Sequence, residues 1–173
     1  AELRGWSQFA ALQIEYSLLQ RGAERDLLPM AQALDMAVTP WGVIGGGALT
    51  GKYLRGEGGR VPENSLRRNE RSREIAQEVV DIAQELEVTP TQIAINWARQ
   101  RVSNVMPVIG AKRVEQLQDS LKCLDFTIPD TLMNRLNEIS KIELGFPHDF
   151  LSSEGVKQSA FAGTYDQIIN HRL

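Results

Sequence analysis

Cysteine is almost missing from this chain: Cys123 is the only one in 173 residues. A lone thiol makes no internal disulfide and no Cys-based metal knuckle, which points to a reducing, cytosolic setting. Histidine is nearly as scarce. His148 and His171 stand 23 positions apart with no cysteine beside them, so surface histidines are expected rather than metal ligands, and no metal site is predicted. An excess of positive charge is also lacking, since 19 Lys and Arg face 22 Asp and Glu for a net charge of −3. That balance argues against nucleic acid or an anionic membrane as partner, both of which demand a basic surplus. No apolar run approaches the ~20 residues of a membrane span, and the opening Ala1-Glu2-Leu3-Arg4-Gly5 has no apolar signal core. The first residue is not Met, so a processed chain or an excerpt of a longer one is expected.

What is present suits a core. Hydrophobic residues make up 42% of the chain and charged ones 24%, enough for one domain spanning 1–173. Phe9 to Ile14 is a short apolar run, expected as a strand buried on both faces. Glu24 to Met36 carries Leu27, Leu28, Ala31 and Leu34 at helical spacing. Ala37 to Ile44 is a second strand candidate, made irregular by Pro40 and closed by Gly45-Gly46-Gly47. Gly51 to Glu70 has no period and is expected to be a long loop, a length often found in functional lids. From Glu74 to about Glu87, Ile75, Val79, Ile82, Ala83 and Leu86 share a helical face. Thr89-Pro90-Thr91-Gln92 has the form of a capping box with proline in the first turn, and Ile93, Ala94, Trp97 and Ala98 follow on one face. Asn104 to Gly110 is the third strand candidate. Arg113 to Leu121 reads as a helix with Val114, Leu117 and Leu121 aligned, and another starts near Pro129 with Leu132, Leu136 and Ile139 facing inward. After Glu143 no strong period remains. The order β, α, β, loop, α, α, β, α, α predicts an α/β fold with a parallel sheet. At 173 residues the chain is short of the ~250 of a closed eight-stranded barrel.

Ligands in such folds sit beyond the C-terminal ends of the strands. The first strand is followed by Gln13, Glu15, Tyr16 and Ser17, the second by Gly45 to Lys52, and the third by Gly110-Ala111-Lys112-Arg113. Glycines admit an anion close to backbone N–H groups, and lysine adds a point charge, so two strand ends suit phosphate. An aromatic and an amide at the other suit a flat ring bearing a carboxamide. Each feature has a plainer reading. Three glycines before a lysine make a flexible turn, and GGGALTGKY is no Walker sequence because Tyr53 stands where a hydroxyl for Mg²⁺ is required. Lys112 and Arg113 fit ordinary surface charges, Tyr16 a packed core aromatic, and the Arg67, Arg68, Arg71, Arg73 run a solvated face.

Taken together, Leu12-Gln13-Ile14-Glu15-Tyr16-Ser17-Leu18-Leu19-Gln20-Arg21, Gly46-Gly47-Ala48-Leu49-Thr50-Gly51-Lys52-Tyr53 and Pro107-Val108-Ile109-Gly110-Ala111-Lys112-Arg113-Val114-Glu115-Gln116-Leu117 resemble the aldo/keto reductase family, as do Thr89 to Trp97 and Leu144-Gly145-Phe146-Pro147. The resemblance covers nearly the whole chain. It implies a partial (β/α)₈ TIM barrel, the C-terminal half, with about three parallel strands equivalent to strands six to eight and covering helices. It also implies NADP(H), with NAD(H) as the alternative. By that resemblance Gln13 would bond the nicotinamide carboxamide and Tyr16 would stack on the ring. Gly46, Leu49, Gly51 and Lys52 would line the pyrophosphate, and Gly110, Lys112 and Gln116 would hold the adenosine end, with Lys112 near the 2′-phosphate. Lysine stands there where the family more often has arginine, a point charge in place of a fork. Ser120 falls where the family often has an adenine-contacting Asn, and Gly42-Val43-Ile44 replaces its usual Ser-Pro-Leu.

No segment resembles the family's tyrosine acid with its Lys, Asp and His companions, so no catalytic residue is assigned and the chain alone is expected to be inactive. Tyr53 and Tyr165 lie in a loop and a tail without such companions. Expected partners are a missing N-terminal half or a second copy joined through exposed strand edges. The rival readings are a non-catalytic half-barrel that oligomerises or docks, and a nucleotide-binding remnant.

Overall fold

The computed structural model describes residues 1–102 and 104–169. Its sheet begins with β1 (Ala11–Glu15), followed by a short helix α1 (Leu27–Ala33) and β2 (Ala37–Trp41). The strands run parallel, with Ala11 opposite Ala37, Gln13 opposite Thr39 and Glu15 opposite Trp41. Asp26 opens α1 by accepting from the Leu27 N–H, which puts its start later than the apolar spacing from Glu24 suggested.

The third strand candidate departs from expectation. Among the described residues the regular sheet has two strands, and Val105 to Val108, entered through a left-handed Asn104 (φ 58°), lies along β2 as an extended segment joined by a single bridge, Val38 to Val105. Its bonds to β2 are Val38 N–H to Asn104 O at 3.0 Å, Met106 N–H to Val38 O at 2.8 Å and Val108 N–H to Pro40 O at 2.8 Å. The next rung of a parallel ladder calls for an N–H at residue 40, and proline has none. One residue of β2 therefore interrupts the ladder on that side while β1 pairs undisturbed on the other.

Helices cover one face of the sheet. The 16-residue α2 (Glu70–Glu85) starts earlier than its apolar stripe because Asn69 caps it, accepting the Ser72 N–H at 2.8 Å. Its Ile75, Val79 and Ile82 are fully buried, each contributing roughly 1.5–3 kcal/mol by leaving water. The next helix, α3 (Pro90–Arg101), is buried from Gln92 through Ala98 and sits at the centre of the core. Thr89 accepts the Gln92 N–H as a capping box requires, but the Gln92 side chain turns away to Asp119 instead of closing the box. Leu136 of α5 (Asp130–Ile139) is buried, whereas Ile139, expected to face inward, is left 37% exposed.

The opposite face is bare, so the expectation of a strand buried on both faces fails. By alternation Gln13 of β1, Thr39 and Trp41 of β2, and Met106 and Val108 share it. Gln13, Trp41, Met106 and Val108 are exposed. Exposed too are Val114, Leu117 and Leu121 of α4 (Val114–Leu121). Beyond Glu143, where no period was legible, the chain forms α6 (His148–Ser152) and α7 (Glu154–Phe161). No described helix is long and apolar enough to cross a membrane.

Candidate functional site

A cleft of about 890 Å³ opens beyond the C-terminal ends of β2 and the extended segment beside it. One wall is drawn from the turn after β2, at Gly42, Val43, Ile44, Gly46, Gly47, Thr50 and Lys52, with Gly59 and Arg60 from the following loop; the other is Val108 to Lys112 with Gln116, Asp119 and Ser120, and Thr91 and Ile95 of α3 also line it. Six of the ten residues singled out from the sequence meet here: Gly46, Lys52, Gly110, Lys112, Gln116 and Ser120. Gln116 Oε1 accepts the Lys112 N–H at 2.9 Å, which fixes the turn into α4, and Ser120 donates to the Gln116 carbonyl at 2.8 Å.

Positive charge predominates on the cleft walls, with Lys52, Arg60 and Lys112 against Asp119. Among the described residues Lys52, Arg60 and Lys112 have no carboxylate within ion-pair distance. Among the described residues Asp119 is the single carboxylate on the walls, and its oxygens already accept from Thr89 Oγ1 at 3.0 Å and Gln92 Nε2 at 2.6 Å. Lys52 is held in place as well. Its chain runs between two glycines, where a methyl on Gly47 would come within 2.7 Å and one on Gly59 within 2.6 Å of Nζ, and Nζ lies 4.8 Å from the Tyr53 ring centroid.

Gly110 and Gly51 make an instructive pair. At Gly51, with φ +75°, a methyl would meet Val80 at 2.7 Å, so packing against α2 requires glycine and the residue is buried. At Gly110, which lines the cleft, a methyl would meet nothing within 4 Å. The fold does not demand glycine there; a closely approaching ligand would.

Four of the ten residues lie elsewhere. Gly51 serves the fold, and Leu49 is fully buried in the core with its N–H donating to Ile44 O at 3.3 Å; neither is among the residues lining the cleft. Gln13 is exposed on the bare sheet face, outside the cleft walls. Tyr16 is the clearest correction: its exposure is 0%, its ring packs on Trp97 with centroids 5.2 Å apart, and its hydroxyl donates to Glu24 Oε1 at 2.6 Å. It has no face to offer a nicotinamide. The plain reading of a packed core aromatic holds. The sequence reading missed Trp41, 43% exposed, on the same sheet face as Gln13 and next to Gly42 at the cleft mouth. The signal was available, an aromatic ending the second strand immediately before glycine.

Tyr16 belongs to a charged network beneath β1. Arg21, 5% exposed, donates from Nε and Nη2 to both Glu24 oxygens at 2.8 and 2.9 Å, and from Nη1 to Asn137 O at 2.7 Å and Ser140 Oγ at 2.8 Å. Burial alone would raise the Glu24 carboxyl, but the hydrogen bonds from Arg21 and Tyr16 and the charge of Arg101 hold it below the usual carboxylate range. Burial, then the bond to Glu24, pushes the Tyr16 hydroxyl far up. Among the described residues no three His, Cys, Asp or Glu side chains cluster for a metal. His171 lies outside them.

A family model described as the aldo/keto reductase family matches residues 1–141. The chain belongs to the aldo/keto reductase family. Among curated relatives it is 29% identical over 161 residues to a probable aryl-alcohol dehydrogenase of Saccharomyces cerevisiae, AAD4, covering 89% of this chain and 49% of that one. It is also 29% identical to an aryl-alcohol dehydrogenase [NADP(+)] of Phanerodontia chrysosporium, covering 96% and 46%. Among solved structures, a glycerol dehydrogenase from Gluconobacter oxydans superimposes with TM-score 0.67 at 22% identity, covering 83% of this chain and 47% of that chain, which shows the shared fold. This aldo/keto reductase chain thus spans about half the length of the relatives it matches.

Proposed function

We propose that this chain is the dinucleotide-holding part of an NAD(P)H-dependent carbonyl oxidoreductase, equivalent to strands six, seven and eight of the family barrel, with NADP(H) the favoured cofactor. The observation that carries the reading is the meeting of three cations with no ion-pair partner among the described residues, Lys52, Arg60 and Lys112, with Gly46 and Gly110 in one cleft beyond parallel strand ends. A dinucleotide brings a diphosphate and, in NADP(H), a third phosphate, matching that donor set. In this reading Lys52 and the Gly46 backbone hold the pyrophosphate, while Gly110, Lys112, Gln116 and Ser120 hold the adenosine end. Trp41 gives the nicotinamide a stacking face and Gln13 gives its carboxamide a partner. When bound, the reduced nicotinamide supplies a hydride to a carbonyl carbon. Lys112 favours the 2′-phosphate by charge without the two-pronged grip of arginine, which leaves NAD(H) as the weaker alternative.

Titrating the chain with NADPH while following tryptophan emission tests this: saturable quenching is expected, and none at millimolar cofactor removes the reading. Carbonyl reduction also needs a proton donor. Tyr53 accepts the Val61 N–H inside its loop, and Tyr165 packs edge-on against Phe161, so neither is offered as that acid. No loss of reduced-nicotinamide absorbance is therefore expected from the chain with an aryl aldehyde; turnover would overturn this part.

The bare sheet face favours a second statement. A parallel sheet is ordinarily covered on both faces, and the exposed Trp41, Met106 and Val108 call for a covering N-terminal half or, failing that, a second copy joined through strand edges. Light scattering that finds a well-behaved monomer removes the second copy. We further propose a cytosolic location, consistent with the single buried thiol Cys123, which cell fractionation would check.

A further inference from the structure

Tyr53 follows Lys52 directly in sequence, and the cofactor reading leaves it without a task. The glycine turn ends at Gly51 in the left-handed region, and the next two side chains fold together, with Lys52 Nζ 4.8 Å from the Tyr53 ring centroid. The ring is a fixed platform. Tyr53 is buried, packs with Ala48, Val61 and Leu19, and accepts the Val61 N–H at 2.9 Å through its oxygen. Gly59 and Gly47 complete a slot around the ammonium: a methyl at Gly59 would lie 2.6 Å from Nζ and collide with the Tyr53 oxygen as well, and one at Gly47 would lie 2.7 Å from Nζ. A second cation shares the ring, the Arg68 guanidinium, 4.5 Å from the same centroid. Arg68 also meets Glu63 at 3.9 Å and the Val61 carbonyl at 3.4 Å, whereas Lys52 has no carboxylate within ion-pair distance among the described residues. Of the two cations on this ring, one is matched by an acid and the other keeps its charge for the cleft.

We propose that Tyr53 is a positioning residue for Lys52: its ring holds the ammonium on the cleft wall, ready for a phosphate, without cancelling the charge. The inference rests on the cofactor reading above for what Lys52 meets. An aromatic partner suits this task better than an acidic one. A carboxylate would grip the ammonium more strongly and then compete with the incoming phosphate, while a ring face attracts it through its quadrupole and leaves the unit charge intact. Lysine also has a long stem with much rotamer freedom, which a ligand would otherwise have to freeze on binding. The slot formed by Tyr53, Gly47 and Gly59 freezes it when the chain folds.

The test measures NADPH binding by calorimetry in the unaltered chain, Tyr53→Leu, Tyr53→Phe, Gly59→Ala, and Lys52→Met with and without Tyr53→Leu, together with the Lys52 Hε resonances of each cofactor-free protein by NMR. Tyr53→Leu should weaken binding about three- to tenfold, and Tyr53→Phe, which keeps the ring and loses the Val61 bond, should recover most of that loss. Gly59→Ala, at an exposed position outside the left-handed region, should weaken binding by pushing Nζ off the ring, and it decides the matter where Tyr53→Leu does not fold. In the Lys52→Met background Tyr53→Leu should cost nothing further. The Lys52 Hε protons should resonate upfield through the ring current, and lose that shift in Tyr53→Leu and Gly59→Ala but not in Tyr53→Phe. A loss in Tyr53→Phe as large as in Tyr53→Leu overturns the proposal, because the hydroxyl would then be the cause; so does an equal cost in the Lys52→Met background, which would make the ring mere packing. Tighter binding in Tyr53→Leu overturns it too, since the ring would then be withholding the ammonium from phosphate. Failure of the unaltered chain to bind NADPH removes the cofactor reading separately, and an unshifted Lys52 Hε resonance in that chain overturns the positioning role on its own.

Discussion

Replacing Tyr16 by Phe and, separately, Trp41 by Ala sets the two candidate aromatics against each other. Tyr16→Phe keeps the ring on Trp97 and removes one charge-assisted bond, the 2.6 Å donation to Glu24. A buried hydrogen bond to a charged partner is worth about 1.5–3 kcal/mol, so urea unfolding should show a loss of that size. Cofactor affinity should stay within about twofold, because the ring is 0% exposed and reaches no cleft. Trp41→Ala should do the reverse. The side chain is 43% exposed, so little stability is at stake. Loss of a stacking face worth about 1–3 kcal/mol corresponds to roughly five- to 150-fold weaker NADPH binding. Calorimetric titration is the appropriate assay, since the second variant removes a fluorophore. A tenfold loss of affinity in Tyr16→Phe at unchanged stability, or full affinity in Trp41→Ala, would refute the assignment.

Lys112→Glu should weaken NADPH about ten- to a hundredfold while changing NADH by no more than about threefold, because a reversed charge confronts the 2′-phosphate alone; equal losses would place Lys112 away from that phosphate. Arg21→Met leaves Glu24 buried with Tyr16 and a more distant Arg101, and chemical denaturation should record a loss of about 3–5 kcal/mol; less than 1 kcal/mol would show that the remaining partners suffice. The Glu24 carboxyl is held below its unfolded value, so its contribution is complete above the unfolded carboxylate range and is lost as pH falls through the depressed folded value. A Glu24→Gln variant should therefore lose part of the acid sensitivity seen in thermal melts between neutral and acid pH, and an unchanged acid limb would count against it.

The helices were legible where burial is one-sided or complete and strongly periodic, as in α2 and α3, whose Ile75, Val79, Ile93 and Trp97 all lie in the core. Periodicity does not say whether a stripe has a partner. Val114, Leu117 and Leu121 align as expected along α4 and are nonetheless exposed. The strand count failed at Pro40, which the sequence displayed, because its effect falls on a neighbour 67 residues away, the Pro107 rung that the ladder skips. Within the site, the cationic and glycine positions that converge were readable from strand ends alone. Tyr16 was not, since nothing near it in sequence announces that Asn137 and Ser140 complete the network that buries it. Leu49 and Gly51 belong to the same contiguous motif as Gly46 and Lys52, and only the turn's fold separates those facing the cleft from those facing α2.

The Arg21 network also has a temporal side. Its guanidinium bonds reach 116 and 119 residues along the chain, to Asn137 and Ser140. During synthesis from the N-terminus, β1, α1 and their charges leave the ribosome long before α5 exists to receive them. Until then Arg21 and Glu24 keep their water, and Tyr16 and Trp97 lack the lid that seals them. The contacts that seal β1 are therefore completed only once α5 has docked, and any truncation before Ser140 would leave β1 with a hydrated charge pair where its core contact should be.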